Sequence, residues 1–305
     1  MFANATFLSC GSGVLSAVIF FLTMTQGAAL VIYLPLLPIL LVGFAFGFPS
    51  ALIATAVALV ITATLGNIES AGVFAVLLAV PSLIVSFFGL RQIRSAESAH
   101  WYPVLRILSY VTMFSAVLVL FLAFNFRTNE GGLEAKMVSE IGEGFAKADP
   151  VLADMVSEIL SDHAYVLIAS TVWLWVIMVY VMALVAHLIL DTYKRTIRPV
   201  FSIQEGGLPR VLPLLLAGCV VAAFAAEGQV QFAARALLLI ALLPYFLFGL
   251  AQIHRLTLGW NARSFLLSIF YILMLTTLWP AVCVCVYGVV LQMKEFSGST
   301  VSLPK

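Results

Sequence analysis

Nine apolar runs, bounded by polar or helix-breaking residues, divide the chain: 10–25, 28–46, 50–66, 71–90, 103–124, 164–190, 209–226, 236–254 and 264–291. The apolar core of a bilayer is about 30 Å thick, and about 20 residues of helix cross it. Within it every backbone N–H and C=O must be paired inside the chain, which for runs of this length means helix. The runs therefore predict an all-α fold, a polytopic transmembrane helical bundle forming one integral membrane domain over 1–305. Runs 103–124, 164–190 and 264–291 are long enough to stand without help. The first three are short, separated only by Gln26-Gly27 and by Gly47-Phe48-Pro49. If one of them is re-entrant, the count is eight spans; otherwise it is nine. Composition agrees: 63% of residues are hydrophobic and 10% charged, with a mean hydropathy of +1.13. Soluble domains carry about 25% charged residues, so lipid must cover this chain.

Breaks in the runs carry further information. Pro35 and Pro38 interrupt the second run, each removing a backbone hydrogen bond and clashing with the preceding turn. Broken backbone at membrane depth is tolerated only against protein or a water-filled cavity, so this segment should face the bundle interior. Gly43 and Gly47, four apart, permit close approach of another helix. Pro280 should kink the last run.

The basic residues orient the bundle. Arg91, Arg94 and Arg106, then Lys194, Arg195, Arg198 and Arg210, then Arg255 and Arg263 flank three loops on one side and make up nine of the fifteen Lys and Arg. The positive-inside rule makes that side cytoplasmic. The 125–163 loop is then external. It holds eight acidic residues (Glu130, Glu134, Glu140, Glu143, Asp149, Asp154, Glu158 and Asp162) against Arg127, Lys136 and Lys147. Leu133, Met137, Ile141 and Phe145 recur every fourth residue, and Leu152, Met155, Val156, Ile159 and Leu160 resume the pattern after Pro150. Two short amphipathic helices joined at Ala148-Asp149-Pro150 are predicted. Their acidic face favours lidding the external mouth over lying on anionic lipid.

Candidate site residues are few. No Asp, Glu, Lys or Arg falls near the centre of a predicted span, which argues against a carboxylate proton relay or an intramembrane catalytic dyad. His187 and Asp191, four apart, share a helix face and read either as a proton or cation gate or as an interfacial pair. Gln252 and His254, with Arg255 beside them, carry the same two readings, a gate or partner-facing group against an interfacial one. Arg235, near Glu227, reads as an interfacial anchor. Trp173, Ile177 and Tyr180 lie on one helix face, with Trp175 pointing elsewhere, and Thr276, Thr277 and Trp279 precede Pro280. Tryptophan prefers the membrane interface, so tryptophan at mid-depth needs another explanation. These six residues read either as an apolar, aromatic ligand pocket or as packing. Cys10, Cys219, Cys283 and Cys285 suggest neither a disulfide framework nor a metal site, and no cofactor is expected. There is no HExxH, GxSxG, Walker lysine loop or CxxC, so an enzyme is not expected. The N-terminus lacks the basic residues of a signal peptide, so the first run is expected to be retained. A net charge of +1 gives no sign of nucleic-acid binding.

Leu34-Pro35-Leu36-Leu37-Pro38 running into Gly43-Phe44-Ala45-Phe46-Gly47, together with Phe248-Gly249-Leu250-Ala251-Gln252-Ile253-His254 before a long final run, resembles the YybS-like family of bacterial inner-membrane proteins. That family is similar in turn to the substrate-capture components of energy-coupling-factor transporters. The resemblance implies a helical bundle that holds a small solute and docks on ATPase subunits, with an Ala-x-x-x-Ala surface matched here by Ala54-Thr55-Ala56-Val57-Ala58. The expected function is a non-enzymatic, transporter-like membrane protein binding a small solute or lipid. The alternative is a membrane scaffold or assembly factor without a ligand, using the 125–163 loop for docking.

Overall fold

A computed structural model describes residues 2–26, 31–94, 99–127, 132–146, 150–199, 201, 203 and 207–297. Its elements are α1 (Phe2–Gln26), a 3₁₀ turn (Val31–Tyr33), α2 (Leu36–Phe46), α3 (Phe48–Leu65), α4 (Ile68–Phe74), a π turn (Ala75–Ala79), α5 (Val80–Gly89), β1 (Gln92–Arg94), β2 (Ala99–Trp101), α6 (Val104–Asn125), α7 (Gly132–Ala146), α8 (Pro150–Thr192), α9 (Leu212–Ala225), α10 (Gly228–Leu256), α11 (Arg263–Thr276) and α12 (Trp279–Phe296). The strands form one antiparallel hairpin pairing Gln92 with Trp101 and Arg94 with Ala99. The fold is all-α apart from it.

Among the described residues, six helical stretches are long and apolar enough to cross a membrane: Asn4–Met24, Phe48–Leu65, Ile68–Gly89, Val104–Asn125, His163–Thr192 and Gly228–Leu256. The pair α11–α12, bent by 109°, makes a seventh if it counts as one span. Every predicted run is at least partly helical, but prolines shorten three of them. Pro35 and Pro38 delay α2, so Val31–Phe46 is apolar but short. Pro213 sits in the first turn of α9, which has 14 residues. Pro280 opens α12 after a break at Thr277 and Leu278, a sharper departure than a kink. Proline fits best in a helix's first turn, where its missing N–H has no partner to lose.

The predicted pair of loop helices takes a different form. Gly132–Ala146 is helical, whereas the stretch after Pro150 continues into the span as one 43-residue helix, α8. Apolar periodicity does not change where that helix leaves the bilayer, so the sequence pattern contains no boundary. The joint at 148–149 lies outside the described residues.

The chain packs as two compact units, Met1–Val111 with Trp175–Gly206, and Thr112–Leu174 with Gly207–Lys305. In the first, α1 crosses α3 where Gly13 faces Ala54 and Val57; a Cβ on Gly13 would collide with the Ala54 carbonyl oxygen. Gly47, at φ +98°, turns the chain from α2 into α3. Asn67 caps α4 through Oδ1, which accepts the Ser70 N–H at 2.7 Å. In the second, α10 and α12 run antiparallel through Gly249 against Val284 and Gly288 against Tyr245. Val119, Leu133, Ala164, Ile168, Phe232, Ala236 and Ile240 form a core there.

Candidate functional site

Two buried prolines missed in the sequence reading organise the interior. Pro81 has no N–H, so the Leu77 carbonyl four residues back loses its helical donor. The first unit responds with the π turn, in which the Val80 N–H reaches the Ala75 carbonyl. Trp175 then supplies the missing donor: its indole N–H bonds the Leu77 oxygen at 3.0 Å. In the second unit Trp173 donates its indole N–H to the Leu239 oxygen at 2.9 Å, with its ring 5.2 Å from Phe246. Leu239 lies five residues before Pro244, a proline inside α10, and next to Ile240, whose carbonyl is the one that Pro244 leaves without a helical donor. Trp173 and Trp175 thus each donate to a helix carbonyl four or five residues before a buried proline.

Beside the π turn lies a seam of small residues joining α2, α3 and α5. A Cβ on Gly43 would lie 2.6 Å from Ser86 Oγ and 3.2 Å from the Ala51 methyl, so these three residues are level. The turn at Gly66–Asn67 folds α3 back against α4–α5. In that antiparallel register Thr55, one turn after Ala51, comes level with Ser82, one turn before Ser86. Thr55 is 2% exposed, and Ser82 and Ser86 are 0% exposed. None of the three hydroxyls has a hydrogen-bond partner among the described residues. Other buried hydroxyls donate to carbonyls a turn back, Ser9 to Ala5 at 2.8 Å, Ser109 to Leu105 at 2.7 Å and Thr62 to Ala58 at 3.0 Å, while Ser16 donates to the Pro35 carbonyl at 2.6 Å; the Tyr245 hydroxyl, in the second unit, is also without a partner among the described residues. An unpaired buried hydroxyl costs about 1–3 kcal/mol. Three on one seam make a polar locus inside an apolar bundle, beside a π turn, an irregularity often found at functional sites.

The other predicted residues are placed as follows. Ile177 and Tyr180 lie in the first unit, Tyr180 stacked on Phe201 with ring centroids 6.2 Å apart. His187 is buried against the same Phe201 at 6.1 Å, while Asp191 is exposed. Arg198, buried, closes this end of the unit. Its Nη1 donates to the Tyr102 carbonyl at 3.0 Å and the Gly89 carbonyl at 3.3 Å, and its guanidinium lies 5.1 Å from the Phe201 ring. The basic-loop arginine thus pins the end of α5 and the hairpin instead of facing solvent. In the second unit Thr276, Thr277 and Trp279 are exposed at the α11–α12 break, and both threonines bond carbonyls of their own helix. No bond or ring contact joins them to Trp173 among the described residues. Gln252 is buried. His254 Nε2 and the Tyr271 hydroxyl are 2.6 Å apart, which ties α11 to α10. The Arg235 guanidinium lies 5.7 Å from the Tyr165 ring.

Besides Ser82 and Ser86, a further buried polar residue was overlooked in the sequence. Gln292, 1% exposed, donates its amide to the Pro209 carbonyl at 2.9 Å just before α9, and its Oε1 has no partner among the described residues. A glutamine directly after the last apolar run was the available signal. No family model, curated protein or solved structure matches this chain.

Proposed function

We propose that this chain is a non-enzymatic, multi-pass membrane protein that binds a small polar solute or a lipid headgroup within its helical bundle, as a transporter-like capture protein. The carrying observation is the seam of Thr55, Ser82 and Ser86, three buried hydroxyls without protein partners beside a proline-induced π turn. Neutral hydroxyls both donate and accept, so they suit a neutral guest bearing hydroxyl, amide or carbonyl groups. The resemblance to substrate-capture components supports the same reading, and ATPase subunits are the partners it implies. The proposal includes a bacterial inner membrane, cytoplasmic basic loops and an external 125–163 segment. Eight or nine crossings require Val31–Phe46 and α9 to complete spans with their neighbours.

Native mass spectrometry of the protein, gently extracted from its own membranes, tests the reading. A recurrent small-molecule adduct should accompany the wild type and vanish from the Thr55→Val/Ser82→Ala/Ser86→Ala variant. A bare wild type, or an adduct that survives all three changes, would overturn it.

A scaffold without a ligand is the second reading. The observation favouring it is an acid-flanked apolar ridge at the start of α8.

A further inference from the structure

Helix α8 has 43 residues, about 64 Å at 1.5 Å per residue, roughly twice the apolar thickness of a bilayer. Its apolar span begins at His163, which leaves 150–162 ahead of it. Asp154 and Glu158 in that stretch cannot enter hydrocarbon, so this end of α8 projects into water. One face of the projection packs inward: Ser157 Oγ would lie 2.7 Å from a Cβ on Gly142, and Ala164 and Ile168 continue that face into the core. Residues two positions from Ser157 lie about 200° around the helix, on the far side.

That far side carries an aliphatic ridge. Val151, Met155 and Ile159, spaced i, i+4, i+8, are 69%, 56% and 64% exposed. Exposed Asp154 and Glu158, each one residue before a ridge residue, line one edge of it. An apolar ridge with a charged rim, standing in water, is the half-site of a helix-on-helix interface.

We infer that Val151, Met155 and Ile159, with Asp154 and Glu158 as rim, dock a basic amphipathic helix of a partner protein. Charge decides among the occupants. A second copy of the same ridge would bring carboxylates against carboxylates, which disfavours self-association. An anionic membrane surface would be repelled in the same way. Lysines or arginines flanking a leucine face would complement both ridge and rim. This docking site stands independently of solute binding at the hydroxyl seam.

The test uses the full chain in zwitterionic lipid nanodiscs and a synthetic helical peptide with a leucine face and lysine flanks. Its twin carries glutamates in place of the lysines. Fluorescence anisotropy should show the lysine peptide binding, with affinity falling steeply from about 50 mM to about 300 mM salt as screening shortens the reach of the rim charges. The double variant Met155→Glu/Ile159→Glu should weaken binding at least tenfold. A photo-cross-linker at 155 should capture the peptide, and one at 157 should not. Equal binding of the two peptides, equal binding to empty nanodiscs, or capture from 157 alone would each overturn the site. So would cross-linking from 155 chiefly to a second copy or to lipid. If the double variant loses its helical signal, the cross-linking pattern of the otherwise native chain decides.

Discussion

Trp175 and Pro81 form one device at the residue scale. The proline removes a donor and the indole replaces it, so their contributions to stability should not add. Trp175→Phe keeps an aromatic side chain but leaves the Leu77 carbonyl without its indole donor, and should cost about 1–3 kcal/mol in an unfolding equilibrium in mixed micelles. Pro81→Ala restores a backbone N–H within reach of that carbonyl. In the Pro81→Ala background the Trp175→Phe penalty should therefore shrink by more than about 0.5 kcal/mol. A strictly additive cycle would show that the indole bond carries no such role. The hydroxyls of the seam invite the opposite expectation: without a guest, Ser82→Ala and Ser86→Ala remove unpaired polar atoms and should leave stability unchanged or slightly raised, by thermal denaturation in detergent.

Glycine decides the approach of helices at the scale of elements. Gly13 and Gly11 are two residues apart in α1, yet a Cβ on Gly13 would collide with the Ala54 carbonyl, while one on Gly11 would meet nothing within 4 Å. Gly13→Ala should thus destabilise the protein by about 1–3 kcal/mol through forced separation of α1 and α3. Gly11→Ala should be neutral or mildly stabilising, because alanine is the better helix former. Equal effects on melting temperature would contradict this crossing. Gly288 plays the same part between α12 and α10, where its Cβ would strike the Tyr245 carbonyl. Gly288→Leu should lower the yield of folded, monodisperse protein, whereas Gly218→Leu, in open space, should not.

At the scale of the whole molecule, one span of 30 residues separates the acidic stretch before His163 from the basic segment after Thr192. A cysteine at Met155 and one at Lys194, each in a cysteine-free background, should be labelled by a membrane-impermeant maleimide from opposite sides of right-side-out vesicles. Labelling from the same side would contradict a single crossing by α8. Lys194 is suited to the probe because it is exposed and turns the chain at φ +53°.

Run lengths and hydropathy by themselves determined that this chain is helical and apolar enough to enter a membrane. They also located every long helix, because burial in lipid leaves the backbone no other option. The charges marked the loops, Pro35 and Pro38 marked the break before α2, and Pro280 marked the break before α12. Tertiary structure alone decided the rest. In a continuous apolar run nothing distinguishes Ser86, unpaired on a seam, from Ser109, bonded a turn back; the difference is which neighbour lies across the helix. Trp173 and Trp175 were visible as oddities, but their acceptors lie 66 and 98 residues away in sequence, and only packing brings an indole to a helix carbonyl, as to the Leu77 carbonyl that Pro81 has freed. Arg198 read as one more basic loop residue until the ends of α5 and the hairpin surrounded it. A hydropathy pattern records which residues avoid water, and lipid and protein satisfy that preference equally, so which faces meet lipid and which meet each other is settled by shape.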